Sequence, residues 1–470
     1  MKLLKFTKFV NSLYPHEIEY LNSIAKFQDT DRINILKRIS KNIYLHGEGL
    51  GYDITIDKRK YSSIIKWIQI NLDKIDVDVF FYWVLELDRK IHFDNIRFED
   101  EKKLLHYLKI ITPSSYYFIR FFEIVISYRD FILIRNKTEN YSSIINFIKT
   151  NQNLYDESKK RNEALNIAAT KIMHNNDDEI QDSGKWEELL KRITLNIKTD
   201  GFTRYKALIR LSFLYYHTKE YAKLKNVLES FDKELKTSAF YSKRILANYY
   251  NNVAILYRKM HNYEFSRTYG YYAIKQENTD FLRYTNNLCS VLLMHGKDYE
   301  ALKLMKGIPN DIRTTASAYN RTRFMSLYMN SLYRNNKPKE AFVIGERYIE
   351  NHYKEIINHS WDMFFSSYFQ ILIHLENFNK ILSIEKKFNL LNIVKYKRER
   401  GKYLPNIYWY CLLAQFENGK IGFTKFQDNL ISSITTLKNN KFDIKEIDSL
   451  LSEISLFCPS LIKEVKKKTA

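Results

Sequence analysis

Little in this 470-residue chain has the spacing that catalysis or metal binding requires. His352 and His359 stand seven apart and could share one helix face, but a zinc site needs further His or Cys ligands close by, and none is near in the sequence. Cys289, Cys411 and Cys458 are far apart and embedded in apolar stretches. That is the pattern of reduced, buried thiols, not of a disulfide framework or a nucleophile. Gly47, Gly49 and Gly51 form the sole glycine cluster, yet no Lys followed by Ser or Thr comes after it, so it reads as a turn and not as a phosphate cradle. Asp76 with Asp78 looks like a helix start, where carboxylates favour the dipole. Asp177 with Asp178 looks like a polar loop.

Arg210 with His217 and Arg347 with His352 come near the Arg-then-His spacing that some all-helical ribonucleases use. A chain with 11 His produces such matches by chance, so they carry no assignment. These readings leave no catalytic residue, no metal site and no cofactor. What recurs instead is asparagine: Asn251–Asn252 is followed 35 residues later by Asn286–Asn287. Asn is unfavourable inside a helix, so a repeated mid-helix pair calls for a reason. One reason is that a carboxamide can bond both the N–H and the C=O of an extended peptide.

The elements that position these residues are helices. With 12 Gly and 6 Pro in 470 residues, the chain has too few turn formers for a sandwich or barrel. Its 36 Tyr and 30 Phe suit seams between helices. Pro15-His16-Glu17 reads as a helix start. Amphipathic stretches follow near 60–73, 77–91, 99–111, 114–133 and 139–150.

From about residue 160 a repeat emerges. Compact or apolar positions Leu224, Ser266, Ala301, Ala341 and Ile381 are spaced 42, 35, 40 and 40 residues apart. Each is preceded nine residues upstream by a bulky one: Tyr215, Tyr257, Leu292, Leu332 and Leu372. A period of this size means stacked helical hairpins, with the bulky residue of one helix against the compact residue of the next. A weaker copy spans 407–432. The expected fold is therefore all-α: an α-solenoid of stacked antiparallel helix pairs with a helical N-terminal region. The expected divisions are 1–155 (N-terminal helical region), 156–435 (repeat array) and 436–470 (a capping segment with a basic tail).

On Val253, Ala254, Tyr257, Ser266 and Ala273, and on Leu288, Cys289, Leu292, Ala301 and Pro309, the array resembles the tetratricopeptide repeat. The resemblance is clearest over 244–310. Most copies exceed the family's usual length, Gly270 replaces an aromatic, and most copies lack the closing Pro. The stretch 8–17 is also similar to the opening of repeat proteins from AT-rich bacteria, a likeness that implies no activity. The family resemblance implies a non-catalytic protein-binding scaffold, adaptor or sensor, with peptide backbone contacted by groove asparagines.

In such arrays the first helices of successive pairs line a concave groove. The groove residues expected here are Lys206 and Arg210, then Asn248, Asn251 and Asn252, then Arg283, Asn286 and Asn287, then Arg323. Their cations suit an acidic peptide or protein partner. The formal net charge of +21 allows an alternative, a nucleic-acid-binding regulatory or defence protein. The interleaved cluster Lys395, Lys397, Arg398, Arg400 and Lys402 would then be its contact site. An AT-rich coding sequence also inflates Lys with no ligand involved. Lys interrupts every apolar run near the N-terminus, and no run has the length of a membrane span, so a cytoplasmic protein without membrane insertion is expected.

Overall fold

The computed structural model describes residues 3–45, 49–137, 139–174, 183–237, 239–399, 405–439, 444–455, 457–459 and 463–465. Among these, all regular structure is helical. In chain order the α-helices are α1 (Leu4–Asn11), α2 (Pro15–Ile24), α3 (Thr30–Asn42), α4 (Lys58–Ile75), α5 (Val77–His92), α6 (Phe98–Ile110), α7 (Phe118–Ile134) and α8 (Tyr141–His174). Then come α9 (Ser183–Leu195), α10 (Gly201–His217), α11 (Tyr221–Asp232), α12 (Lys243–Lys259), α13 (Tyr263–Ala273), α14 (Phe281–Met294), α15 (Asp298–Lys306) and α16 (Asn310–Thr315). The last are α17 (Ala318–Arg334), α18 (Pro338–Asn358), α19 (Trp361–His374), α20 (Phe378–Phe388), α21 (Leu390–Glu399), α22 (Pro405–Glu417), α23 (Phe423–Asn439) and α24 (Ile444–Ser455). No described helix is long and apolar enough to cross a membrane.

Short polar side chains start many of these helices. Asp29, Asp57, Asp76, Asp200, Ser242, Asn262 and Ser317 each accept a first-turn backbone N–H, satisfying donors that the helix leaves without partners. Pro15 and Pro338 open α2 and α18, where a missing N–H costs nothing.

The turns carry the repeat. Lys219, His261, Gly296, Asn336, Glu376 and Gly419 all have positive φ, and each closes the first helix of a pair. They lie 42, 35, 40, 40 and 43 residues apart. In each, the next N–H reaches back across the turn. Glu220, Asn262, Lys297, Lys337 and Asn377 donate to the carbonyls of Tyr215, Tyr257, Leu292, Leu332 and Leu372 at 2.8–3.0 Å. This is a left-handed helix stop with a six-to-one hydrogen bond. The five bulky positions of the sequence period are thus its acceptors. The compact partners Leu224, Ser266, Ala301, Ala341 and Ile381 are all buried. Asp94 and Asn136 close α5 and α7 in the same way, with Asn95 N donating to Lys90 O and Lys137 N to Ile132 O. The hairpin device therefore also operates in the N-terminal region, where the side-chain pattern is too weak to reveal it.

The chain forms two compact units, residues 1–278 and 279–470. The first contains a core of α5–α8 built on Phe118, Phe121, Phe122 and Tyr128. Most of its helices pack on near neighbours in sequence through α12 and α13, but α2 packs on the 3-10 turn Glu234–Lys236, and residue 155 falls inside the continuous helix α8. In the second, first helices α14, α17, α19 and α22 stack in order, and α15, α18, α20 and α23 complete the antiparallel pairs. The result is an all-α, solenoid-like arrangement within the unit. Close approach here depends on Gly345 of α18: a Cβ at that position would lie 2.5 Å from the Tyr368 ring of α19 and 2.9 Å from the Met329 sulfur.

Candidate binding surfaces

The residues expected to line a groove divide between the two units. In the first, Lys206 lies on α10 with its ammonium 4.7 Å from the centre of the Phe202 ring and bonded to Asn162. Burial pulls its pKa down, against the field of Asp200. Arg210, one turn on, is half-buried. On α12 the Asn252 amide donates to both the backbone and side-chain oxygens of Asn248, each at 3.0 Å. Asn251 is buried.

In the second unit, Arg283 is half-buried, 3.2 Å from Asp280 and packed over Tyr284. Asn286 is fully buried: its amide donates to the Asn320 carbonyl at 3.0 Å, tying α14 to α17, while its own side-chain oxygen has no hydrogen-bond partner. Asn287 is buried beside it, and Arg323 is half-buried on α17. The repeated Asn pair thus makes a bond within its own helix in the first unit and a tie between helices in the second.

The basic cluster of the alternative reading falls mostly outside the described residues. Lys395 is exposed on α21. The side chains of Lys397 and Arg398, and Arg400 and Lys402 entirely, lie outside what is described, as do Gly47, Asp177 and Asp178. A different cationic feature is present: a cleft of about 420 Å³ between α8 and α9, with Lys160, Arg161 and Arg192 around an apolar floor of Ala164, Leu189 and Ile193.

The remaining sequence candidates sit in packing or capping roles. Cys289, Cys411 and Cys458 are buried, and burial pushes the Cys289 thiol up to about 12. Asp76 caps α5 by accepting from Asp78 N at 2.8 Å, and Asp78 pairs with Arg244 at 2.9 Å. His352 stands at a kink in α18, 3.6 Å from Glu355, and His359 follows that helix's end. Among the described residues, no group of three His, Cys, Asp or Glu side chains is placed to hold a metal ion.

Sequence reasoning missed a polar network at the start of the chain. His16 bonds Tyr250 Oη through Nδ1 at 2.5 Å and Asp232 through Nε2 at 2.9 Å. Glu17, fully buried, accepts from Tyr14 N at 2.7 Å and from Tyr241 Oη at 2.6 Å, with the Lys243 ammonium 3.9 Å away. Burial raises the carboxyl's pKa, against Lys243 and Tyr241. Lys275 donates to the Leu13 carbonyl at 2.7 Å, and burial lowers its pKa to about 8. The helices from 221 to 275 thus hold an N-terminal segment more than two hundred residues away in sequence. No local pattern could announce this, because both partners look like ordinary helix residues. No family model matches the chain, and no curated protein matches it in sequence.

Proposed function

We propose that the chain is a non-catalytic scaffold or adaptor of the tetratricopeptide-repeat kind that binds a carboxylate-bearing peptide or protein segment on its first-helix faces. The observation that carries this reading is the handling of Glu17. The repeat region of the first unit takes up a buried carboxylate on a short segment by means of a tyrosine hydroxyl and a nearby ammonium. A 2.6 Å hydroxyl bond to a carboxylate, with an ammonium 3.9 Å away favouring its charged form, is a contact suited to an acidic side chain. Lys206 and Arg210 in the first unit, and Arg283 and Arg323 in the second, supply further cations on first helices.

The test is an array of acidic and matched neutral peptides probed with the full chain. Lys206→Ala with Arg210→Ala, and separately Arg283→Ala with Asn287→Ala, are expected to weaken binding of acidic peptides at least tenfold. Equal binding of acidic and neutral peptides, or unchanged binding by both variants in a folded state, would refute it. A nucleic-acid reading is favoured by the Lys160–Arg161–Arg192 cleft and the +21 charge. It requires affinity for DNA or RNA that falls steeply with salt.

A further inference from the structure

The cleft beside α3 carries cations that no other group of the protein engages. Asp31, Asn34, Arg38 and Lys41 stand three, four and three residues apart, so they share one face of α3, with Lys37 at its edge. The chain returns past this face at residues 52–56, before α4 begins, and the two walls enclose about 360 Å³. That volume falls in the range of small-ligand sites, roughly 300–1,000 Å³. The second wall is held in place from both sides. The Asn42 amide donates to the Leu50 carbonyl at 2.9 Å and accepts from Leu50 N at 2.8 Å, and Tyr61 Oη donates to the Asp53 carbonyl at 2.7 Å. The Tyr52 ring stands edge-on to Phe6, 4.9 Å between centres, and Phe6 packs in turn on Tyr61.

Lys37 and Lys41 are exposed and Arg38 is half-buried. Among the described residues, none of the three is in an ion pair or a side-chain hydrogen bond. The helix dipole accounts for Lys41 only, because it acts within the last turn and Lys37 and Arg38 precede that turn. The two acids of the cleft are already engaged. Asp31 meets the Lys60 ammonium at 2.7 Å, and Asp53 accepts from Thr55 N at 2.8 Å and from Thr55 Oγ1 at 2.6 Å. The Tyr52 hydroxyl is buried and has no hydrogen-bond partner, while the Asn42 amide beside it is taken up by Leu50. A buried hydroxyl left unbonded is costly, and an anionic acceptor would relieve it. Burial also raises the pKa of Tyr52, which keeps the proton on its oxygen. A ligand entering here would have no ion pair of Lys37, Arg38 or Lys41 to break.

We propose that this cleft binds a small phosphorylated polyhydroxy compound, a sugar phosphate or a nucleotide. Lys37, Arg38 and Lys41 hold the phosphate, and Tyr52 donates to one of its oxygens. Asn34 and the remaining lone pairs of the Asp53 carboxylate meet the ligand's hydroxyls. Guanidinium and ammonium groups suit a dianionic phosphate, and a carboxylate accepts readily from a hydroxyl. Gly49 and Gly51, which no Lys follows closely enough to make a phosphate loop, thus stand beside cations that the preceding helix supplies. The site includes none of Lys206, Arg210, Arg283 and Asn287, so this inference and the peptide-binding reading can fail separately.

Isothermal titration calorimetry of the full chain with ribose 5-phosphate and with adenosine monophosphate tests this, with ribose and adenosine as uncharged controls. Saturable binding of at least one phosphate is expected, with its control bound at least tenfold more weakly; the tighter of the two identifies the class. Arg38→Ala with Lys41→Ala should weaken that binding at least tenfold. Tyr52→Phe should weaken it at least threefold and leave the melting temperature unchanged, because its hydroxyl has no partner in the folded chain. Should the double variant fail to fold, Tyr52→Phe alone decides. Absence of saturable binding by either phosphate would overturn the proposal, and so would undiminished binding by the folded variants. Inorganic phosphate bound as tightly as both esters would overturn the assignment of a polyhydroxy ligand. A short single-stranded RNA that binds more tightly than adenosine monophosphate, and is lost in the same variants, would overturn it in favour of a nucleic-acid surface.

Discussion

Asp200 caps α10, the helix that carries Lys206 and Arg210, and replacing it with Asn should make the protein more stable at neutral pH. Its side chain is 1% exposed; one oxygen accepts from Thr203 N at 2.9 Å and the other has no hydrogen-bond partner. Burial raises its pKa from 3.8 to about 6, against the bonds from Thr203 and the field of Lys206. An acid whose folded pKa is raised holds a proton that the unfolded chain releases. Stability is therefore lost as pH climbs from about 4 to about 6, and the full cost is present above that window. A rise of that size is worth about 3 kcal/mol at pH 7.5, at roughly 1.4 kcal/mol per unit. Asn caps a helix about as well as Asp and does not titrate. Denaturant unfolding of wild type and Asp200→Asn at pH 4 and pH 7.5 isolates the effect, because every other titrating group cancels in the difference. The two proteins should be nearly equal at pH 4, and the variant should lead by up to about 3 kcal/mol at pH 7.5. A gap of the same size at both pH values would mean that Asp200 is not held in the way its burial implies.

The turn geometry predicts that Gly296→Ala, at φ 70°, lowers stability by about 1 kcal/mol, whereas Glu376→Gly, at φ 54°, raises it slightly, since only glycine occupies that region without a Cβ penalty. Thermal melts that order the two variants the other way would contradict it. Gly345→Ala drives a methyl into the Tyr368 ring and should cost about 1–3 kcal/mol, read as a lowered denaturant midpoint. A neutral result would mean that α18 and α19 separate freely. Arg204 bonds both oxygens of Glu234, at 2.7 and 2.6 Å, and the Thr194 carbonyl, between the Phe231 and Phe240 rings. Arg204→Ala should cost about 3–5 kcal/mol, because it strands a half-buried carboxylate. Adding Glu234→Gln to Arg204→Ala removes the stranded charge, so the double variant should regain part of that loss in denaturant unfolding; no gain would refute the reasoning.

Much of the architecture was legible in the side chains. Few Gly and Pro residues and a recurrent bulky-to-compact spacing of nine are local facts, and helical hairpins are local structures. The stretches near 60–73, 77–91 and 99–111 reappear as α4, α5 and α6 because apolar periodicity and the helical turn are the same quantity. The turns themselves were less visible. Four of the six repeat turns place Lys219, His261, Asn336 or Glu376 in the left-handed region, where a reader expects glycine. Packing of the pair overrides local preference there. The extra hairpins closed at Asp94 and Asn136 were hidden for the same reason.

By itself, the sequence determined that the chain is helical, that hairpins recur every 35 to 42 residues, and which positions face inward in each pair. Those properties follow from periodicity, and periodicity survives without knowledge of any distant contact. Only the tertiary structure decided which polar residues are buried and what they touch. It set Asn286 in the seam between α14 and α17, brought Glu17 to Tyr241, and laid Glu453 against Gln370 and Tyr410. The partners in these contacts are separated by 34 to 224 residues. A buried carboxylate must find donors wherever the packed helices present them, and that choice is made by the stacking of whole helices, not by any neighbour in the chain.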